Sequence, residues 1–155
     1  MANNKKRASK PRVNTSKDSK QSSVSPEKKA VRSEVKSNMN RRPKWRFKKR
    51  DCEHETWGLD ITEELLRKLM NFETMTWSQI LLKAKKQNHQ IKTYTLSKEA
   101  QKRLTILKLD DYDEICSLRL DGTHRLYGIL DEDGVFSIIW DDLHHEVCPS
   151  SKKHT

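Results

Sequence analysis

Two glycine-containing turns divide the last third of this 155-residue chain into three apolar segments. The segments are residues 115–120, 124–130 and 135–140, and the turns between them are Asp121-Gly122 and residues 131–134. An Asp-Gly pair between two such segments is a strong signal for a tight hairpin, because glycine adopts a positive φ without a steric penalty. The spacing therefore predicts a three-stranded antiparallel meander in which the third and most apolar strand is central.

Helical spacing precedes the strands. Thr62, followed by two glutamates, is typical of a helix N-terminus. Four apolar residues then recur at helical spacing, which predicts that they share one face: Leu65, Leu66, Leu69 and Met70. Residues 76–79 (Thr-Trp-Ser-Gln) have the spacing of a capping box and begin a second helix that continues to about residue 87. Together these signals predict a helical hairpin over residues 62–87.

The remaining segments complete an α+β fold class. Ser97 begins a third helix that places Leu104 and Leu107 on one side. Residues 89–96 are interpreted as a linker or a short strand, and residues 144–148 as a short further strand at the sheet edge. We expect N-terminal helices packed on one face of a small antiparallel β-meander, preceded by a basic tail.

Charge divides the chain near residue 50. Residues 1–50 hold 18 Lys and Arg against 3 Asp and Glu, a net charge of +15, whereas residues 51–155 hold 14 against 19, a net charge of −5. This asymmetry excludes a uniformly basic globule. Residues 1–43 contain too few apolar side chains to offset an ordering cost of about 1–2 kcal/mol per residue. We therefore predict a disordered basic tail over 1–43 and a folded domain over 44–155.

Aromatic and basic residues alternate directly after this tail. Residues 44–50 (KWRFKKR) are interpreted as a first strand with Trp45 and Phe47 facing the core, or as an arm whose aromatic rings stack on nucleic-acid bases. The tail is either a solubilising extension or a salt-dependent nucleic-acid contact. The candidate nucleic-acid-binding residues are Arg41, Arg42, Lys44, Arg46, Lys48, Lys49, Arg50, Lys152 and Lys153.

Compartment and cofactors are constrained by what the sequence lacks. It contains no apolar run of about 18 residues and no secretory signal, and its three cysteines make no disulfide framework, so we expect a cytoplasmic protein without a membrane partner. No phosphate-binding glycine loop or hydrolase motif occurs, and no cofactor is expected. A zinc site built from Cys52, His54, His145 and Cys148 has atypical spacing, and no metal site is predicted.

The segment LRLDGTHRLYGILDEDGVFSIIWDDLHHEV (118–147) resembles the C-terminal half of the RelE/ParE toxin superfamily, most closely its RelE and YoeB branches. The helix after Ser97 also fits that family's order of a helix before the meander. Residues 140–150 (WDDLHHEVCPS) resemble uncharacterised bacterial RelE-like proteins that end in Trp-Asp-Pro-x-His-x-Val-Tyr-Pro-Ser. Leu143 replaces the proline of that pattern, and Cys148 replaces its tyrosine.

The resemblance implies a toxin-like endoribonuclease that cleaves mRNA, free or on the ribosome, and is held by an antitoxin protein. By this resemblance, Arg125 corresponds to the strand arginine of the family, and Arg119 lies on the adjacent strand. His145 corresponds to the general acid or base. His144 and His124 are secondary candidates, and residues 152–154 would close over the phosphate. The chemistry suits these residue types, because arginine pairs with phosphate oxygens and histidine exchanges protons near neutral pH.

Plainer interpretations remain open for each of these residues. Arg119 and Arg125 are equally suited to cross-strand ion pairs with the many nearby acids, and His145 to a surface role. Tyr127, Phe136 and Trp140 are expected to be core. A second functional hypothesis is a non-catalytic RelE-like interaction module with a nucleic-acid-binding arm, and a third is a ParE-like gyrase inhibitor.

Overall fold

The computed structural model describes residues 38–150, which form an α+β fold around a five-stranded mixed sheet. The strands are β1 (Lys44–Arg46), β2 (His89–Lys92), β3 (Glu114–Asp121), β4 (His124–Leu130) and β5 (Val135–Asp142). The α-helices are α1 (Glu63–Glu73) and α2 (Lys98–Ile106), and two short helical turns are Gln79–Lys83 and Thr93–Thr95. The strand order is β1-β5-β4-β3-β2, with β1 parallel to β5 and all other pairs antiparallel. The predicted meander is confirmed as β3–β5, and β5 lies inside the sheet.

The predicted helix starts are confirmed, but the apolar face predicted for the first helix is wrong. Thr62 Oγ1 accepts the backbone N–H of Leu65 at 3.1 Å, and Leu65, Leu69 and Phe72 are buried. Leu66 and Met70, predicted to share their face, are exposed; Met70 keeps 63% of its surface. Each helical step turns about 100°, so residues directly after Leu65 and Leu69 point away from the sheet.

The second predicted helix begins as expected and ends early. Thr76 and Gln79 form the reciprocal capping box, with N–H to side-chain oxygen distances of 2.9 and 3.3 Å. The chain then makes the π-helical turn Gln79–Lys83 rather than a helix to residue 87. Residues 83–87 offer no large apolar side chain to bury, so packing cannot stabilise further turns. Asn88 closes the segment, because its side chain donates to Ile80 O and accepts the N–H of Arg119.

The two α-helices lie on opposite faces of the sheet, which corrects the expectation that the helices share one face. Leu65, Leu69 and Phe72 of α1 join one apolar cluster, while Ala100 and Leu104 of α2 join another. The strands require both clusters, because β3 and β5 carry apolar residues on both of their faces and each face must be covered. We call the two sides of the sheet the α1 face and the α2 face.

The ordered domain begins before β1. Residues 38–43, assigned to the tail by sequence, lie within the described structure: the backbone N–H groups of Trp77 and Ser78 donate to Arg41 O and Met39 O at 2.9 and 2.8 Å. In β1, Trp45 packs against the α1-face cluster, but Phe47 follows the strand and is 36% exposed. The predicted disorder over residues 1–37 falls outside the described residues.

A buried carboxylate fixes the loop after β1 to the α2 face. Asp51 accepts hydrogen bonds from Arg103 Nε and Nη2 at 2.8 and 2.6 Å and from Trp140 Nε1 at 3.0 Å. Burial opposes ionisation of Asp51, but the bonds from Arg103 and Trp140 outweigh it and lower the carboxyl pKa to about 2. This contact joins α2, β5 and the loop into one unit.

The C-terminal segment forms turns instead of the predicted edge strand over 144–148. Asp142, at the end of β5, accepts the N–H groups of His144 and Val147, and these bonds curl the chain back over the sheet. Between residues 38 and 150, neither α-helix has the length and apolar character needed to cross a membrane.

Candidate functional site

The structure brings the three predicted catalytic residues together at one end of the α2 face. Arg119 of β3 lies directly opposite Arg125 of β4, which in turn lies opposite Asp142 of β5. Alternation along β4 places Arg125 on the same face as Tyr127, which belongs to the α2-face cluster. His145, in the turn after β5, is near enough for the charge of Arg125 to act on its imidazole. We call this group of side chains the cationic hollow.

Arg125 is held in place by the hairpin turn that it follows. Its Nη1 donates to Gly122 O at 2.7 Å and to His124 O at 3.2 Å. Burial, and then the like charge of Arg119, lowers the guanidinium pKa of Arg125 from its ordinary value. The two positive charges repel each other, and a bound anion relieves that repulsion.

Asp142 positions the turn that carries His145. Its buried carboxylate accepts the N–H of His144 at 3.2 Å and the N–H of Val147 at 2.8 Å. Between these two residues His145 adopts a φ of 57°, in the left-handed region. The carboxylate therefore fixes the backbone around His145 and also supplies a negative charge beneath the imidazole.

The imidazole of His145 is half-buried and biased towards its neutral form. Burial lowers its pKa, the charge of Arg125 lowers it further, and Asp142 opposes both effects. A second imidazole, that of His89, also acts on His145. His89 is exposed on β2, where it lies opposite Ser117 of β3. Sequence analysis did not single out His89, because only the pairing of β2 with β3 brings it to this end of the sheet.

A buried phenol with an unpartnered hydroxyl lies beside the same charges. Tyr127 is fully buried, as predicted for a core residue, yet its hydroxyl has no geometrically sound hydrogen-bond partner among residues 38–150. Burial raises the pKa of Tyr127, so the hydroxyl keeps its proton near neutral pH. The charges of Asp142 and Arg125 act on it. An unsatisfied buried hydroxyl of this kind is a donor that an ordered water satisfies.

Cys148 stands where the resemblance expects a tyrosine. Its thiol is half-buried and lies 3.9 Å from Thr95 O. Burial raises the thiol pKa, so Cys148 is neither a thiolate nucleophile nor a strong hydrogen-bond donor near neutral pH. At this position the chain therefore lacks the aromatic ring that the RelE-like pattern carries.

The secondary candidates do not join the cationic hollow. His124 alternates onto the α1 face, where its Nε2 is hydrogen-bonded to the carboxylate of Asp141, the residue before Asp142. His144 is exposed. The predicted phosphate contacts Lys152, Lys153 and His154 lie outside the described residues.

The predicted basic segment runs along the first strand and beyond it. Of its seven cations over residues 41–50, six are exposed: Arg41, Arg42, Lys44, Arg46, Lys48 and Arg50. Three of the seven have local partners: Arg46 lies 3.7 Å from Asp131, Lys49 Nζ donates to the Tyr112 hydroxyl at 2.9 Å, and Arg50 Nε donates to Cys52 Sγ at 3.3 Å. The remaining charge forms an exposed cationic edge on the domain.

No grouping of three His, Cys, Asp or Glu side chains suited to a metal ion occurs within residues 38–150. His54, one of the four residues considered for zinc, instead donates its Nε2–H to Glu99 Oε1 at 2.8 Å and stacks on Trp57. This environment makes His54 part of the packing between the 51–57 loop and α2.

No family model matches this chain, and no curated protein or solved structure matches it either.

Proposed function

We propose that the cationic hollow binds a phosphodiester of RNA and that this protein is a RelE-like endoribonuclease, a hydrolase of the toxin type. The observation that carries the proposal is the cross-strand pair of Arg119 and Arg125, in which the like charge of Arg119 is close enough to act on Arg125, together with His145, whose turn Asp142 holds in place. A phosphate with its two anionic oxygens fits between two planar cations better than any neutral ligand does.

Each group has a role in cleavage by the neighbouring 2′-hydroxyl. The neutral imidazole of His145 removes the 2′-hydroxyl proton while that oxygen attacks phosphorus. The bond from phosphorus to the 5′-oxygen breaks, and His89 is the nearby imidazole able to protonate that leaving oxygen. The products are a 2′,3′-cyclic phosphate and a free 5′-hydroxyl. Arg119 and Arg125 balance the charge that develops on the phosphate oxygens.

Two surrounding residues support this chemistry. The carboxylate of Asp142 stabilises the imidazolium that forms when His145 takes a proton, because the two charges attract at short range. The hydroxyl of Tyr127, which makes no hydrogen bond within the described residues, is a donor for a water that bridges to a phosphate oxygen. Both residues are buried, so their positions are fixed before RNA binds.

The toxin assignment is supported by the residue pattern and by the order of helix, meander and terminal histidine. A toxin of this type is expected to act on mRNA, free or on the ribosome, and to be neutralised by a cognate antitoxin protein. Induced expression should therefore arrest growth, and co-expression of a small neighbouring gene should restore it.

Cleavage of a defined RNA by the full chain tests the proposal. We expect Arg125→Ala and His145→Ala each to reduce the cleavage rate by about 100-fold or more. The matched controls are Arg67→Ala, on the exposed side of α1, and His144→Ala, next to His145; both should cleave at the normal rate. A single 2′-deoxy substitution at the cleaved nucleotide should stop the reaction. Equal rates in all four variants would overturn the assignment.

The exposed cationic edge favours a second candidate, nucleic-acid binding without cleavage. Six exposed cations over residues 41–50 provide phosphate contacts that carry no sequence information. Binding through them should weaken steeply as salt rises, since counterions are released on binding. Replacing Arg42, Lys44 and Lys48 with Gln should then lower the salt slope by about 2 to 3. Salt-sensitive binding by the wild type, together with an intact RNA substrate, would favour this module over the enzyme.

A further inference from the structure

A second cavity lies on the α2 face at the opposite end of the strands. Its volume is about 550 Å³, within the range of about 300–1,000 Å³ typical of small-ligand pockets. It lies between β1, the turn from β4 to β5, and the loop before β3. Its lining includes Asn38, Arg46, Lys49, Tyr112, Ile129 and Asp133.

One wall of this cavity suits a flat ring. Ile129 is buried and contributes an apolar surface, and Tyr112 keeps 37% of its surface exposed. Lys49 Nζ lies 2.9 Å from the Tyr112 hydroxyl but 4.9 Å from the ring centroid. The ammonium therefore sits towards the oxygen end of the ring and leaves much of the ring face open to stacking, which tolerates any planar base.

The cavity also offers hydrogen-bond acceptors. Asn38 lines the cavity but is only 3% exposed, and its Nδ2 donates to Asp131 O at 2.7 Å, which holds the turn that carries Asp133. Asp133 adds an exposed carboxylate at the rim. The two carboxylate oxygens of Asp133 accept from a ligand that brings two neighbouring N–H donors.

Cations and carboxylates occur here together. Arg46, on the rim, lies 3.7 Å from Asp131 Oδ2, and Lys49 lies across the cavity. The carboxylates disfavour a purely anionic ligand, and the two cations disfavour a purely cationic one. A nucleotide satisfies both requirements when its base faces the acceptors and its phosphate faces the cations.

We propose that this cavity binds a guanine base of RNA, with Tyr112 stacked on the base and both oxygens of the Asp133 carboxylate accepting from its donor edge. Guanine is the common base that presents a ring N–H beside an exocyclic amine, which is the pattern that neighbouring acceptors recognise. The binding itself does not depend on cleavage in the cationic hollow. Ile129 and Arg125 share one face of β4 at a separation of about 13 Å along the strand. If the proposed cleavage holds, the cavity gives it a preference for RNA that carries guanine near the broken bond.

Calorimetric titration of the full chain with single nucleotides tests the inference. We expect 5′-GMP to bind about tenfold or more tightly than AMP, CMP or UMP. Inosine 5′-monophosphate, which lacks only the exocyclic amine, should lose about tenfold against GMP. Equal binding of all these nucleotides, or no binding of GMP, would overturn the inference.

Two pairs of matched variants assign the binding to this cavity. Tyr112→Leu and Asp133→Asn should each weaken GMP binding by about fivefold or more. Their controls, Tyr94→Leu and Asp110→Asn, change an exposed tyrosine and an exposed acid elsewhere and should bind normally. His145→Ala should bind GMP like the wild type even where it abolishes cleavage. Loss of GMP binding in His145→Ala, with normal binding in Tyr112→Leu, would place the nucleotide in the cationic hollow and reject the cavity.

Discussion

On the α1 face, apolar side chains fill the layer between helix and sheet, and Trp45, Trp77 and Phe136 pack ring against ring. On the α2 face, the layer is apolar only where α2 covers it, and its far end holds Arg125 with the buried groups of Tyr127 and Asp142. Asp141 and Asp142 illustrate the contrast, since adjacent residues of β5 point to opposite faces. Asp141 pairs with His124, whereas Asp142 holds the turn beneath a half-buried imidazole.

The difference between the two faces shows that one side of the sheet mainly stabilises the fold, while the other side carries the charged groups of the proposed site. Burial of apolar surface stabilises a face without fixing any charge, so the α1 face is suited to a structural role. Charged groups on the α2 face are arranged at a cost that the rest of the domain offsets. Changes on the two faces should therefore have different consequences.

The largest stability effect is expected from a core truncation on the α1 face. Leu118→Ala removes a fully buried side chain and should lower the free energy of unfolding by about 3 kcal/mol. RNA and nucleotide binding by the folded fraction should be unchanged, because Leu118 faces away from both proposed sites. Urea unfolding monitored by tryptophan fluorescence measures the loss. Leu66→Ala, on the exposed side of α1, is the control and should change stability by less than about 0.5 kcal/mol.

An acid-dependent effect is expected from the carboxylate that anchors the α2 face. Since the pKa of Asp51 is lowered to about 2 in the folded protein, its ionised form contributes stability above the pKa of the unfolded chain. That contribution, roughly 2 kcal/mol, should be lost as the pH falls from about 5 towards 2. Urea unfolding of wild type and Asp51→Asn over this range isolates it, because the difference between them should shrink in acid. A constant difference would contradict the assignment to Asp51.

A smaller effect on stability, coupled to a loss of function, is expected at Tyr127. Tyr127→Phe removes a buried hydroxyl without a partner in the described structure, so the free energy of unfolding should change by no more than about 1 kcal/mol. RNA cleavage should fall nonetheless if the hydroxyl holds a water that bridges to a bound phosphate. Parallel unfolding and cleavage measurements separate the two effects. A clear loss of stability with normal cleavage would show instead that the hydroxyl is structural, and Tyr94→Phe serves as the exposed control.

The smallest effect concerns the titration of one side chain. Because Arg125 lowers and Asp142 raises the pKa of His145, Arg125→Met should raise that pKa and Asp142→Asn should lower it. Titration of the imidazole Cε1–H resonance by NMR measures both shifts. Lys108→Met, which removes a charge just after the end of α2, is the control and should leave the titration midpoint of His145 unchanged. Shifts of the same sign in Arg125→Met and Asp142→Asn would contradict the proposed arrangement of charges.

Local signals in the sequence were sufficient for the elements that form by local rules. The turn at Asp121-Gly122, the cap at Thr62 and the capping box of Thr76 and Gln79 were predicted and are confirmed, because each depends on residues within one turn of the chain. The grouping of Arg119 with Arg125 followed from the same hairpin, since residues flanking a tight turn must lie opposite each other.

The sequence by itself determined the meander, the helix starts and the division of charge, because these follow from spacing and composition. Only the tertiary structure decided that α1 and α2 take opposite faces and that β1 runs parallel to β5. It also decided that His89 joins His145 and that Asn38 reaches the cavity beside Tyr112. Those contacts join residues far apart in the chain, and their free energy comes from burial and strand pairing that no local pattern encodes.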